Sequence, residues 1–234
     1  MHKEYELADK IVLLSNFAIS TFIKNNINES KLIKVNLYAY NEGINFIERN
    51  GKDKLVKFLF VGRIDVLKGI PRLLEALRNL YKKDRNFKLT IVGDLKEELK
   101  DLFESKIEFV EFLGTLSPEN LKNVYKEHDV LILPSVQESF GLVILEALSN
   151  GLFVIASENT GAPDIALKCE KIKTFNPFNL TEMEQAFSIA LNPEYYRQGK
   201  PCNIDDYSIE QYQKQIVTLL SQVANHNNNF INVK

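Results

Sequence analysis

Short apolar runs alternate with longer amphipathic stretches along most of the chain, and this alternation restricts the fold more than any other feature. Residues 57–61, 88–92, 130–133 and 153–156 are almost continuously apolar, as expected of strands buried on both faces. Stretches between them, such as 69–82, repeat apolar residues at helical spacing instead. The pattern therefore predicts an α/β protein with a parallel sheet covered by helices on both faces.

The loops that follow the strands are the places to search for a site, because ligands of such sheets bind beyond the carboxyl ends of the strands. Ser117 and Pro118 have the order of an N-cap and a first helical residue. Polar residues 41–54 have the composition of a linker, and 225–229 are expected to fray. The predicted strands are 11–14, 34–38, 57–61, 88–92, 109–113, 130–133, 153–156 and 172–175, and the predicted helices are 16–26, 69–82, 96–104, one starting at Ser117, 142–149, 181–191 and 209–223.

Glycine spacing and net charge exclude several classes of ligand site. None of the ten glycines lies two residues from another, so a G-x-G-x-x-G fingerprint is absent, and none lies five from another, which excludes a Walker A loop. With 29 basic and 31 acidic residues the formal charge is −2, which disfavours nucleic acid as a partner.

The cysteines and apolar segments bear on the compartment. Cys169 and Cys202 form neither a C-x-x-C motif nor a metal-ligand spacing, so we expect two free thiols in a reducing compartment and no disulfide. No signal peptide opens the chain, and no apolar run approaches the ~18 residues of a membrane span. The prediction is a cytoplasmic protein. Peripheral attachment at the inner face of a membrane stays open, although no basic amphipathic helix favours it.

The loop after residues 57–61 carries two cations. Arg63 and Lys68 follow Gly62 and precede a predicted helix, whose N-terminal N–H groups also favour anions. These residues are therefore candidates for binding an anionic ligand. Equally, two cations in a loop are often only solvated side chains.

The loop after residues 130–133 carries two carboxylates separated by seven residues. Glu138 lies just before the predicted helix, and Glu146 lies in its second turn. Phe140, Gly141 and Leu142 at the helix start offer backbone donors for phosphate. The carboxylates can accept from sugar hydroxyls; alternatively, Glu138 is a charge partner of the helix N-terminus and Glu146 an exposed helix residue.

Several segments together resemble the donor-binding half of family 4 retaining glycosyltransferases, which belong to the glycosyl transferases group 1 and have the GT-B fold. The match covers residues 55–166 in order and spacing, and residues 1–46 more loosely. Its last loop has Asp164 where the family more often has glutamate. The matching segments are 60–63 with Lys68 and Gly69, 91–94, 112–114 with Leu116 and Ser117, 133–135 with Glu138 and Glu146, and 161–164.

The resemblance implies a Rossmann-like domain that binds a nucleotide sugar, UDP- or GDP-linked. Arg63 and Lys68 would hold the donor diphosphate and stabilise the leaving group, so that no metal or other cofactor is needed. The sequence agrees in having no D-x-D motif. Glu138 would accept from hydroxyls of the transferred sugar and Glu146 from the ribose. The implied catalytic residues are Arg63, Lys68 and Glu138, and the implied donor-binding residues are Gly62, Arg63, Lys68, Gly93, Leu116, Glu138, Phe140, Gly141, Leu142 and Glu146.

The implied reaction is transfer of a hexosyl group, with retention, to a carbohydrate or lipid-linked acceptor in cell-surface polysaccharide biosynthesis. Glycoside hydrolysis is the alternative function for a pair of carboxylates. It fits less well, because Glu146 lies on a helix behind Glu138, where it can contact a nucleotide better than the two can flank one glycosidic bond. His128 is expected to be a helix-end residue rather than a catalytic one.

A GT-B enzyme needs two domains of ~150 residues or more, so 234 residues are expected to hold one donor domain and a small part of the other. The predicted division is 1–45 for the remnant of the acceptor domain and linker, 46–207 for the donor domain, and 208–234 for a crossover helix and tail. A binding module, inactive until a partner chain supplies the acceptor domain, is the alternative to a complete enzyme.

Overall fold

A six-stranded parallel sheet forms the centre of the protein in a computed structural model that describes residues 2–38, 55–104, 106–197 and 202–231. The strand order is β5-β4-β3-β6-β7-β8, and β1 and β2 form a separate parallel pair. The strands are β1 (Ile11–Leu13), β2 (Leu32–Lys34), β3 (Val56–Val61), β4 (Phe87–Val92), β5 (Val110–Gly114), β6 (Val130–Leu133), β7 (Phe153–Ser157) and β8 (Ile172–Phe175).

This order is that of a doubly wound, Rossmann-like sheet, which confirms the predicted fold class. Strand order reverses between β3 and β6, which pair directly at Phe58 with Val130 and at Leu59 with Leu131. Connections from β3 and β6 leave in opposite directions, so a crevice opens at their carboxyl ends. The loops beginning at Gly62 and Pro134 lie at this crevice.

The helices cover the sheet with the apolar faces expected from the sequence. In α3, Leu73, Leu74 and Leu77 are fully buried against the sheet. In α4, Ser117 accepts from the Asn120 amide at 3.3 Å, as predicted for an N-cap. The helices are α1 (His2–Leu7), α2 (Asn16–Lys24), α3 (Ile70–Tyr81), α4 (Pro118–Glu127), α5 (Leu142–Ser149), α6 (Ala162–Ala166), α7 (Leu180–Ala190), α8 (Pro193–Arg197) and α9 (Ile209–Ile231).

The N-terminal segment, residues 2–38, packs onto the carboxyl edge of the sheet. The Ser15 hydroxyl donates to the Ser139 carbonyl at 2.6 Å. The buried Asp164 carboxylate accepts from the Asn16 amide at 2.9 Å and pairs with Lys34 at 3.1 Å. In the structure, α9 returns to this segment, where the ring of Tyr212 lies 5.1 Å from that of Tyr38. These contacts hold the segment beside the crevice.

Several element bounds differ from the prediction. The strand expected at 34–38 lies earlier, at Leu32–Lys34 (β2). It has three residues because it pairs with the three residues of β1. Residues 97–103 form a 3-10 helix rather than an α-helix, since Leu99 is their one buried residue and gives no apolar face for a longer helix. Helix α9 continues past 223 through the asparagines, because extending an existing helix is easier than starting one. The predicted linker at 41–54 lies outside the described residues.

The cysteine prediction is wrong, because Cys169 and Cys202 form a disulfide with their Cα atoms 5.0 Å apart. They are 33 residues apart in sequence, but β8 and α7 intervene and return the chain, so sequence spacing did not reveal their proximity. The inference of a reducing compartment therefore loses its basis. Within the described ranges, no helix is both long and apolar enough to span a membrane.

The disulfide makes a simple prediction. Thiol titration of the denatured protein, purified without reductant and with alkylation at lysis, is expected to find no free thiol, and two after reduction. The Cys169→Ser/Cys202→Ser variant is the control and should show none in either condition. Two reactive thiols before reduction would contradict the pairing.

Candidate functional site

A cleft of about 420 Å³ opens at the point where the strand order reverses. Its walls come from three parts of the chain: the loop after β3, the loop after β6 with the start of α5, and the N-terminal segment. The lining residues are Leu14, Leu37, Val61, Gly62, Arg63, Lys68, Leu133, Glu138, Ser139, Phe140, Gly141, Leu142 and Val143. Most of the predicted donor-binding residues therefore meet in one place.

The loop after β3 is organised by Asp65, a buried carboxylate. One of its oxygens accepts from Arg63 Nε at 2.9 Å, and the other accepts from the Lys68 amide at 2.8 Å. The turn places both cations on the cleft side. The Arg63 side chain remains 57% exposed, whereas Lys68 is 20% exposed.

Lys68 and Glu138 form an ion pair that joins the two loops across the cleft. Both side chains are largely shielded from water, so the attraction between them is less screened than at a surface. The pair places an ammonium and a carboxylate side by side. An anionic ligand with hydroxyl groups could bind both, with the ammonium facing its anion and the carboxylate its hydroxyls.

The start of α5 completes the cleft. Gly141 is the N-cap residue of α5 and has no side chain to accept from the first-turn amides. An exposed helix N-terminus favours anions through its N–H groups and its dipole. Leu142 is exposed at this end, while Phe140 is buried and stacks on Tyr207 with ring centroids 5.7 Å apart. Burial and the nearby Asp164 and Asp206 carboxylates raise the pKa of Tyr207 to about 12, so its phenol stays neutral.

Glu146 lies four residues after Leu142, on the same face of α5 but beyond the lining of the cleft. Its carboxylate accepts from the Tyr125 hydroxyl at 2.7 Å. Burial, and then the charge of Glu146 and its hydrogen bond, raise the pKa of Tyr125 well above its ordinary value. Gly93 and Leu116, also predicted to bind the donor, do not line the cleft, and their binding roles stay predictions.

His128 has no place in the cleft. Its Nδ1 lies 2.6 Å from the Val124 carbonyl, to which it donates, and its Nε2 lies 2.8 Å from the Thr90 hydroxyl. The ring is therefore buried and held at both nitrogens, away from the cleft. Among the described residues, no cluster of three or more His, Cys, Asp or Glu side chains could hold a metal ion.

Sequence reasoning missed three residues that shape the site. Asp65 could have been found, because an aspartate in a turn often accepts a hydrogen bond from a backbone amide a few residues later in the chain. Tyr125 and Ser15 could not, since each meets its partner through tertiary packing: Tyr125 from α4 to α5, and Ser15 from the N-terminal segment to Ser139.

Known proteins share the sequence of this region. Residues 43–192, more than half of the chain, match the family described as glycosyl transferases group 1. The chain belongs to this family. It is 36% identical over 137 residues to the sulfoquinovosyl transferase SQD2 of Arabidopsis thaliana, a match that covers 58% of this chain and 26% of that protein. The chain thus spans about a quarter of this relative's length.

Solved glycosyltransferase structures have the same fold. WaaG, a glycosyltransferase involved in lipopolysaccharide biosynthesis, superposes with a TM-score of 0.63 at 23% identity over 80% of this chain and 55% of that one. HepE of Anabaena, solved with UDP and glucose, superposes with a TM-score of 0.73 at 17% identity over 94% of this chain and 65% of that one. The family match thus confirms the expected resemblance to group 1 glycosyltransferases, and these neighbours confirm the GT-B type of fold.

Proposed function

We propose that this glycosyltransferase chain supplies the donor site for transfer of a hexosyl group from a UDP- or GDP-linked sugar, with retention and without a metal, as in family 4. One observation carries the proposal: Arg63, Lys68, Glu138 and the N-terminus of α5 line a single cleft where the strand order reverses. That set combines donors for a diphosphate with an acceptor for sugar hydroxyls.

The diphosphate binds between the cations and α5. Lys68 and Arg63 approach it from the loop after β3, and the first-turn amides of α5 approach from the other side. As the anomeric carbon bonds to the acceptor hydroxyl oxygen, its bond to the diphosphate breaks, the electron pair stays on the diphosphate, and the hydroxyl proton goes to the departing phosphate oxygen. Fixed cations and helix amides stabilise that charge without reorganising, which is the role a metal plays elsewhere.

The two glutamates bind the sugars of the donor. Binding of the diphosphate draws Lys68 toward it, and Glu138 then accepts from hydroxyls of the transferred sugar. Glu146, one turn further along α5 than Leu142, accepts from the ribose. Leu116 and its loop border the base, and Gly62 and Gly93 keep the ends of β3 and β4 close to the ligand.

Support for this proposal comes from the relatives as well. The SQD2 relative is named as a sulfoquinovosyl transferase, and the HepE neighbour was solved with UDP and glucose. Because WaaG is involved in lipopolysaccharide biosynthesis, we propose cell-surface polysaccharide biosynthesis, with a carbohydrate or lipid-linked acceptor, at the cytoplasmic face of the membrane.

A second proposal is a nucleotide-sugar-binding module that acts only with an acceptor-domain partner chain. It is favoured by the make-up of the cleft: its charged lining residues, Arg63, Lys68 and Glu138, all lie in the loops after β3 and β6, so the donor site does not depend on an acceptor domain. In that case the donor site is intact while the isolated chain transfers nothing.

Calorimetric titration with UDP-glucose, UDP-galactose and GDP-mannose tests the proposal. One of them is expected to bind with a Kd between about 1 µM and 1 mM, the range of ordinary enzyme substrates, and equally well in EDTA. Release of the nucleoside diphosphate, with retained anomeric configuration in the product, indicates the enzyme; binding without turnover indicates the module. If no nucleotide sugar or nucleoside diphosphate binds, both proposals are wrong.

A further inference from the structure

Tyr125 is the side chain that holds Glu146 in place. It lies in the last turn of α4, is 3% exposed, and donates its hydroxyl hydrogen to Glu146 Oε2 at 2.7 Å. Glu146 itself is half-buried on α5. A flexible glutamate that has one oxygen bound by a rigid, buried aromatic side chain loses most of its freedom to rotate.

The hydrogen bond leaves Glu146 able to bind a ligand. An ionised carboxylate has about four acceptor positions, and the Tyr125 hydroxyl occupies one of them. Among the described residues, Tyr125 is the one donor within hydrogen-bond distance of this carboxylate. The remaining positions suit a vicinal diol, whose two hydroxyls need an acceptor held at a fixed angle.

The donor character of Tyr125 does not change with pH in the ordinary range. Its burial and the negative charge of Glu146 both oppose ionisation, so the phenol remains protonated well above neutral pH. Glu146 is thus held by the same donor throughout the range in which an enzyme of this kind works.

We propose that Tyr125 is a positioning residue for the donor site: its hydroxyl fixes the Glu146 carboxylate so that it accepts hydrogen bonds from the ribose hydroxyls. This inference rests on the proposed function, because it requires a ribonucleotide in the cleft. Tyr125 does not itself touch the ligand. It acts through the orientation of Glu146, as supporting groups do around preorganised sites.

The test measures recognition of the ribose rather than overall affinity. Calorimetry compares UDP and GDP with their 2′,3′-dideoxy counterparts on wild type and Tyr125→Phe. For whichever base binds, wild type is expected to prefer the ribonucleotide by about three- to tenfold. In Tyr125→Phe that preference should fall to below about twofold, with the dideoxy affinity unchanged.

Tyr81→Phe is the matched control. Tyr81 ends α3 and also has a hydroxyl hydrogen-bonded to a glutamate, Glu108, but it contacts Phe87 at the start of β4, the opposite edge of the sheet from the cleft. Its loss should leave the ribose preference as in wild type. Thermal unfolding confirms that each variant is folded, and Glu146→Gln, which retains an acceptor for Tyr125, should lose the preference as Tyr125→Phe does.

Each other outcome overturns the inference. An unchanged preference in Tyr125→Phe shows that the hydroxyl does not position Glu146. Equal weakening of both nucleotides shows a merely structural role. A wild type that binds UDP and its dideoxy form equally shows that Glu146 does not contact the ribose, while nucleotide-sugar binding through Arg63, Lys68 and Glu138 stands. If neither UDP nor GDP binds wild type, the proposed function fails together with this inference.

Discussion

Replacing Lys68 with methionine is expected to weaken nucleoside diphosphate binding by about 10- to 150-fold. Methionine retains the length of the side chain but removes its charge, and a hydrogen bond to a charged group contributes about 1.5–3 kcal/mol. Lys68 is 20% exposed, so its attraction to a bound phosphate is poorly screened by water and salt. Calorimetric titration with UDP and GDP measures the change.

Arg63→Ala is expected to have the smaller effect of the two. Its guanidinium is 57% exposed and already donates to Asp65, so the phosphate attraction competes with water and with an existing partner. We expect nucleoside diphosphate affinity to fall by about three- to tenfold. Because the Arg63 side chain is exposed, added salt should weaken its attraction to the phosphate more than that of Lys68. An Arg63→Ala effect larger than that of Lys68→Met would mean that the diphosphate lies at the outer edge of the cleft instead.

Lys168→Met is the control for a lost lysine–carboxylate pair. Lys168 pairs with Asp206 at 2.6 Å on the surface, away from the cleft, and its side chain is 71% exposed. Its removal should leave nucleotide binding unchanged. Because Lys68→Met also leaves Glu138 without its cation, Lys68→Met/Glu138→Gln separates the two effects: it should restore thermal stability but not diphosphate affinity. Unchanged affinity in Lys68→Met would place the anion site elsewhere.

The central sheet could be predicted from the sequence because its strands need no partner to be recognised. Strand β6 and helix α5 have the predicted bounds: four consecutive buried apolar residues end at Pro134, and α5 ends at Asn150 and Gly151. The bounds of the second strand were predicted wrongly. Its extent depends on pairing with β1, and a strand of three residues is too short to show a periodic pattern in the sequence.

The candidate site could be predicted only where its residues lie next to a strand end. Arg63, Lys68 and Glu138 each follow a recognisable strand, and the parallel sheet brings their loops together. The partners that orient them come from packing between distant elements, as Tyr125 does from α4 and Ser15 from the N-terminal segment. The disulfide was missed for the same reason.

Gly93→Ala is expected to destabilise the protein by about 2–4 kcal/mol and to lower Tm by about 5–15 °C. Gly93 has a φ of +143°, which L side chains rarely adopt, and an added Cβ would overlap the Gly62 carbonyl. Neither backbone can move aside easily, because Gly62 donates to the Val92 carbonyl at 3.0 Å and Gly93 to the Gly114 carbonyl at 2.9 Å. Thermal and urea unfolding measure the loss.

Gly114→Ala separates close packing from backbone strain. Gly114 also has a positive φ, +68°, but nothing lies within 4 Å of an added Cβ. This variant should therefore cost only the strain, about 1 kcal/mol. Gly93→Ala should also weaken nucleotide binding, because it displaces Gly62 at the wall of the cleft. If the two alanine variants are equally stable, the Gly62 backbone does not approach Gly93 closely. Lack of space for a Cβ would then not be the reason that residue 93 is a glycine.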